Sequence, residues 1–284
     1  MSTTPFIQAQ GLGRHGWART LGTLALMVGA GVAGVFAARG TVLPLLRTTL
    51  ADAPEPVRSG ALILMAGGIF ICATAGLFFG VRWLHGRPIR SLITTAPRLR
   101  FGQLLLGLTL SAGLVGISAY ALDPGSLKPL SGMPLTGLAV SFLAMLVGFS
   151  IQAPAEEIIF RGYILQVAMR GFRSVWAAAC LSVVLFTLAH FGYGIESAIS
   201  SLTFALGMTV VVVLLGGLEF AMGAHIGNNL IIALLFQDLS DANAPSASGI
   251  AWDELAAQAG IMLVLIIVAT LIRLSSRRAR SVQS

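Results

Sequence analysis

Ala155-Glu156-Glu157-Ile158-Ile159-Phe160-Arg161 sets three formal charges inside a chain that is otherwise almost continuously apolar. Of its 284 residues, 56% are hydrophobic and only 10% are charged, and the mean hydropathy is +0.88. Soluble domains carry about 25% charged residues, so this is the composition of a polytopic membrane protein. A charged side chain at membrane depth costs at least ~2.5–3.5 kcal/mol on insertion scales. Two adjacent carboxylates and an arginine therefore require partners, water or both, and the rest of the chain must supply them.

The apolar run that carries this stretch covers residues 135–170 and ends at Arg170. After the tight turn at Gly171 and Arg173, further spans are expected at 174–190, 197–215, 220–236 and 255–272. On the N-terminal side, spans are expected at 21–38, 60–81 and 103–122, separated by a mixed loop at 39–59 and a basic loop. The first is too long for the ~7–15-residue core of a signal peptide and reads as a retained span. The sum is an all-α, transmembrane bundle of about eight helices in one integral membrane domain over 1–284. Runs of ~20 apolar residues cross a bilayer as helices, and no ~10-residue alternation of barrel type occurs.

Charge sets the expected orientation. Arg14 and Arg19, the five arginines from Arg82 to Arg100, then Arg170 and Arg173, and the tail with Arg273, Arg277, Arg278 and Arg280 fall on alternate connections. Asp238, Asp241, Asp253 and Glu254 fall on the opposite side, with only Arg39, Arg47 and Arg58 out of pattern. The positive-inside rule then puts both termini, as tails over 1–20 and 274–284, in the cytoplasm. It also accounts for the +7 net charge without nucleic acid as a partner. The expected partners are the lipid bilayer and a peptide or protein substrate; oligomeric state has no visible signature. Cys72 and Cys180 lie in apolar runs without metal or disulfide spacing and read as small buried apolar residues.

Three spans carry polar pairs four residues apart: Glu157 with Arg161, Phe186 with His190, and His225 with Asn229. This spacing stacks each pair on one helix face. Glu156 lies about 100° round the helix from Glu157, so Arg161 can hold one carboxylate while the other faces a cavity. Taken singly, each has a bland reading. Glu157–Arg161 is a structural ion pair, His190 and His225 are interhelical hydrogen-bond partners, Phe186 is packing, and Glu219 beside Gly216-Gly217 is a solvated helix start. Taken together, two carboxylates, two histidines, an arginine and an asparagine on neighbouring spans point to a shared site. A sheltered carboxylate can act as a general base toward water, a histidine can shuttle the proton, and a His–Asn pair can donate to an oxyanion. That set suits water attack on an amide and needs no Ser or Cys nucleophile. A metal is the other option, since Glu156, His190 and His225 are a known type of zinc ligand set.

At these residues the chain resembles the CAAX protease and bacteriocin-processing family of intramembrane proteases, relatives of the Ras-converting enzyme. The family pattern, E-E-x-x-x-R, then F-x-x-x-H, then H-x-x-x-N or H-x-x-x-D, is matched in order over about residues 135–236. The resemblance implies an eight-helix fold, that core as the catalytic part, and a glutamate-dependent endopeptidase of a prokaryotic cell membrane. It implies Glu156 as the base, His190 as its assistant, His225 and Asn229 at the oxyanion, and Glu157, Arg161 and Phe186 in support. No cofactor is expected, with zinc as the alternative. The other functional classes are a proton-coupled transporter and a non-catalytic scaffold or immunity protein.

One conflict of depth accompanies this reading. At ~1.5 Å per residue, Glu156 lies ~21 Å from Arg170 and His190 ~24 Å from Ser174, whereas His225 is only ~9–12 Å past Gly216-Gly217. Either the 170–173 hairpin projects from the bilayer or the Gly-Gly turn is sunk into it.

Overall fold

The computed structural model describes residues 4–122, 124, 134–236 and 251–281. Asp238 and Asp241, used above for orientation, lie outside them. The described residues are almost entirely helical, with one isolated antiparallel bridge between Thr94 and Gly217. The helices are α1 (Trp17–Thr49), α2 (Glu55–Leu84), α3 (Phe101–Leu122), α4 (Leu135–Phe172), α5 (Val175–His190), α6 (Ile195–Leu215), α7 (Glu219–Phe236) and α8 (Trp252–Ser281). Six are long and apolar enough to cross a membrane; the shorter α5 and α7 carry the two histidines.

The first helix runs well past its expected end. Beyond residue 38, α1 widens into a π-turn at Ala38–Val42 and continues to Thr49. Pro44 is tolerated there because it opens the new segment, where its missing N–H is not needed. The N-terminal stretch is also less tail-like than its polarity implied: Phe6 and Ile7 are fully buried in a short helical turn, Pro5–Gln8.

Glycine sets how closely the helices approach. Gly223 and Gly227 of α7 lie against the Leu104 and Leu108 carbonyls of α3, and Gly107 of α3 lies against the Phe220 carbonyl. A β-carbon at any of the three would collide with backbone. In lipid, where no hydrophobic force drives helices together, such small-residue seams allow close van der Waals packing. His225, midway between the two α7 glycines, is thereby turned to the opposite face, toward α4. Gly148 of α4 meets the Ile63 backbone of α2 in the same way.

The basic loop brings Glu156 and His225 to a common level. The Leu92 carbonyl lies against Gly162 of α4, while the Leu218 N–H donates to the Ile93 carbonyl at 2.9 Å. One loop thus levels α4 at Gly162 with the start of α7. Glu156 is six residues from that level and His225 seven, or ~9 and ~10 Å. The 38 residues of α4 would span ~57 Å against a hydrocarbon core of ~30 Å. The 170–173 hairpin therefore reaches ~12 Å beyond the common level of Gly162 and the start of α7. Gly216 (φ +66°) closes α6 in the left-handed conformation that glycine adopts without strain.

Candidate functional site

Pro154 lies inside α4, two residues before Glu156. It removes the backbone donor that would reach Ser150 and so loosens the ladder there. Beyond Glu157 the helix widens into a seven-residue π-segment, Ile158–Ile164, which contains Arg161. Such widenings occur often at functional positions. Ser182 of α5 seats this segment by donating to the Phe160 carbonyl at 2.8 Å.

Glu157 is at the centre of the buried part. Its Oε1 accepts from Arg161 Nη1 at 3.1 Å and from His225 Nδ1 at 2.9 Å. Glu157 and Arg161 are both 0% exposed. The guanidinium also lies 4.2 Å over the Phe186 ring, which offers its electron-rich face. Phe186 in turn stacks on His190 with ring centroids 4.4 Å apart. His190 Nδ1 lies 2.9 Å from the Phe186 carbonyl. A carbonyl only accepts, so Nδ1 carries the proton. His225 is bounded on its other side by Phe204, at 4.7 Å between centroids.

Glu156 faces the other way. Its Oε1 accepts from Gln152 Nε2 at 3.2 Å, one turn back on α4. Its Oε2 is buried without a hydrogen-bond partner and stands 4.0 Å from His190 Nε2 and 3.9 Å from His225 Nε2. Both Nδ1 atoms carry their protons elsewhere, so both Nε2 atoms present lone pairs unless an extra proton is added. Three acceptors thus converge on one point at separations too long for direct bonds. Only a species that donates or is positive satisfies all three, such as a water or a proton. Among the described residues, no group of three or more His, Cys, Asp or Glu has spacing that could hold a metal.

Six of the seven predicted residues are joined by these contacts. Asn229 stands one turn past His225, with Oδ1 accepting from Asn228 Nδ2 at 3.1 Å. Sequence reading missed Gln152, although its spacing of four residues from Glu156 carried the signal. It also took Glu219 for a solvated helix start. Glu219 is instead 2% exposed and gripped by Arg100, with Nε to Oε1 at 3.0 Å and Nη2 to Oε2 at 2.5 Å. Nothing near it in sequence announces that partner. Cys180 is exposed on the bundle's outer face and Cys72 only partly buried, against the expectation of burial.

A multi-pass helical membrane protein with a buried cluster of carboxylates and imidazoles is the class these observations define. Residues 138–231 match the family model described as type II CAAX prenyl endopeptidase Rce1-like. This stretch is thus similar to an Rce1-like domain, and all seven predicted residues lie within the match. The chain is also 25% identical over 227 residues to the uncharacterized protein YyaK of Bacillus subtilis (strain 168), covering 75% of this chain and 74% of that one. No solved structure matches it.

Proposed function

We propose that this protein is an intramembrane endopeptidase of the prokaryotic cell membrane that hydrolyses a peptide bond of a membrane-associated or CAAX-like substrate, with Glu156 activating water. The observation that carries the proposal is the unpartnered Glu156 Oε2 faced by two imidazole Nε2 atoms at about 4 Å. A water in that gap donates one hydrogen to the carboxylate and the other to His190. Glu156 takes the proton as the water oxygen attacks the scissile carbonyl. His190, the more exposed imidazole with a side chain 26% accessible, helps move it to the leaving amine. The carbonyl oxygen, now negative, is held by the amide of Asn229 and by His225. His225 donates only when Nε2 is protonated, since its Nδ1–H is committed to Glu157. Glu157 and Arg161 hold that imidazole in place, and Gln152 holds the base. The basic ends of the helices, and with them both termini, face the cytoplasm in this reading.

The test compares the membrane proteomes of cells carrying the wild type and Glu156→Gln, each with and without a chelator. Glu156→Gln should leave the protein inserted and abolish cleavage. Cleavage retained in that variant would remove Glu156 as the base, and cleavage lost to the chelator alone would replace the water mechanism by a metal-assisted one. If an Rce1-like phenotype survives in Glu156→Gln, the protein acts as a scaffold.

A further inference from the structure

A cavity of about 660 Å³ lies away from the Glu156 cluster, between the start of α3, the end of α6 and the C-terminal turns of α8. Arg100, Arg273 and Arg277 line it, with Gln103 and Ser276 as further polar groups. Among the described residues no carboxylate lines it. Glu219 holds Arg100 from behind, so one of the three charges is already balanced. Arg273 and Arg277 stand one helical turn apart on α8, and among the described residues neither has an ion-pair partner. Like charges at this spacing repel, and an anion between them relieves the repulsion.

Part of the wall is apolar, with Leu214, Leu215 and Ile272. The neighbouring Leu271 and Leu274 of α8 are exposed, at 59% and 48%. Apolar surface therefore continues from the cavity along the lipid-facing side of the bundle. A free phosphate would use the arginines and leave this wall idle, whereas a phospholipid would use both. The volume falls within the ~300–1,000 Å³ of ligand sites, and basic pockets between transmembrane helices suit anionic headgroups.

We propose that this cavity binds a phosphate oxyanion, supplied by the headgroup of an acidic phospholipid. The site is independent of the peptidase reading and stands whether or not Glu156 activates water.

The experiment takes the full chain in neutral detergent, with phosphatidylglycerol, phosphatidylcholine and inorganic phosphate as probes, and reads retained lipid by native mass spectrometry and thermal unfolding. Phosphatidylglycerol should be retained in preference to phosphatidylcholine. R273Q/R277Q should weaken that binding about thirtyfold, about fivefold per arginine. R82Q/R90Q removes two exposed arginines of the same end outside the cavity and should change it little. Stabilisation by inorganic phosphate equal to that by phosphatidylglycerol, and lost in R273Q/R277Q, would keep the anion site and assign it to a soluble ligand. Equal retention of both lipids, an unaffected R273Q/R277Q, or an equal loss in R82Q/R90Q would overturn the proposal. Should the double variant not fold, R277Q at the exposed rim carries the test: a loss of about fivefold supports the site, and no loss overturns it.

Discussion

Two arginine–glutamate pairs in this molecule, one partly and one fully buried, are built on opposite principles. Arg100 grips Glu219 bidentately through its Nε and Nη2 edge, adds a backbone N–H to the same carboxylate at 3.3 Å, and donates Nη1 to the Leu215 carbonyl at 2.9 Å. Arg161 makes one bond to Glu157, while its Nε and Nη2 and the far oxygen of Glu157 have no hydrogen-bond partner. The first pair is a satisfied staple that ties the basic loop to the start of α7. The second leaves polar capacity unspent in a fully buried place. Where such groups meet no partner the cost is about 1–3 kcal/mol each and more for charged ones, which agrees with the supporting role proposed for the second pair.

The sharpest way to break this contrast is at the neighbouring carboxylate. Glu156→Gln keeps the shape and the Gln152 contact but removes the base. Cleavage should fall by about 10²–10⁴-fold, the usual worth of a general base, with little change in thermal unfolding. Measured by substrate turnover in proteoliposomes, a residual rate near wild type would show that the gap at Oε2 is not where water is activated.

Next in size is the less satisfied pair itself. Arg161→Met leaves Glu157 charged and facing only His225, and should destabilise the protein by about 3–5 kcal/mol, the range for breaking a buried ion pair. It should also lower turnover, because the Glu157 carboxylate that holds His225 is no longer fixed by Arg161. The satisfied pair should behave differently. Glu219→Gln should cost about 1.5–3 kcal/mol through weakened charged hydrogen bonds, yet retain most of the cleavage, since Glu219 acts on the loop and not on the site. Denaturation curves and rates for both variants test the distinction, and a Glu219→Gln protein that is stable but inactive would contradict it.

The contrast also explains what the sequence could reveal. The spans were legible because membrane thickness demands ~20 apolar residues. Within one helix, the spacing of four that joins Glu157 to Arg161 and Phe186 to His190 is a property of the helix alone. Contacts between helices are not: Glu157 to His225 spans 68 residues and Arg100 to Glu219 spans 119. No local rule pairs them, so the staple passed for a solvated helix start. The same limit hid the seam of Gly107, Gly223 and Gly227, since a glycine reads as a turn or a weak helix former until its partner helix is known. The depth of the site stayed open for a related reason, as it depends on which carbonyl of the basic loop meets Gly162.

A smaller effect follows from the one site contact that sequence spacing offered and the reading passed over. Gln152→Ala removes the one side chain among the described residues that donates to Glu156 Oε1. A neutral-to-charged hydrogen bond of this kind is worth roughly 1.5–3 kcal/mol at most and about 1 kcal/mol with partial water replacement, so kcat should fall roughly fivefold with KM unchanged. A rise in KM alone would make Gln152 a substrate contact and not a holder of the base.

The smallest expected effect concerns His85, which ties the N-terminal segment to α4 at the basic end. The Arg14 N–H donates to the His85 carbonyl at 2.6 Å, and His85 Nδ1–H returns a bond to the Arg14 carbonyl at 3.0 Å. That leaves Nε2 to accept from the Tyr163 hydroxyl at 3.2 Å, one residue past Gly162 of α4. Burial holds the His85 pKa below its ordinary value of 6.5, and the charges of Arg87, His15 and Arg19 push the same way against the raising effect of the Arg14 carbonyl. Arg87 is itself drawn down to about 10 by burial but remains charged near neutrality, so it keeps opposing a second positive charge. The folded state thus binds fewer protons than the unfolded one below about pH 6.5, and stability must drop as pH falls through that range. Thermal unfolding between pH 7.5 and 5.5 should show this decline in the wild type. His85→Gln can still donate to the Arg14 carbonyl but cannot titrate, so its decline should be shallower. Equal slopes in the two proteins would mean that the N-terminal segment is held by Phe6 and Ile7 packing alone, and that the His85 bridge adds nothing pH-dependent to either ion pair's end of the bundle.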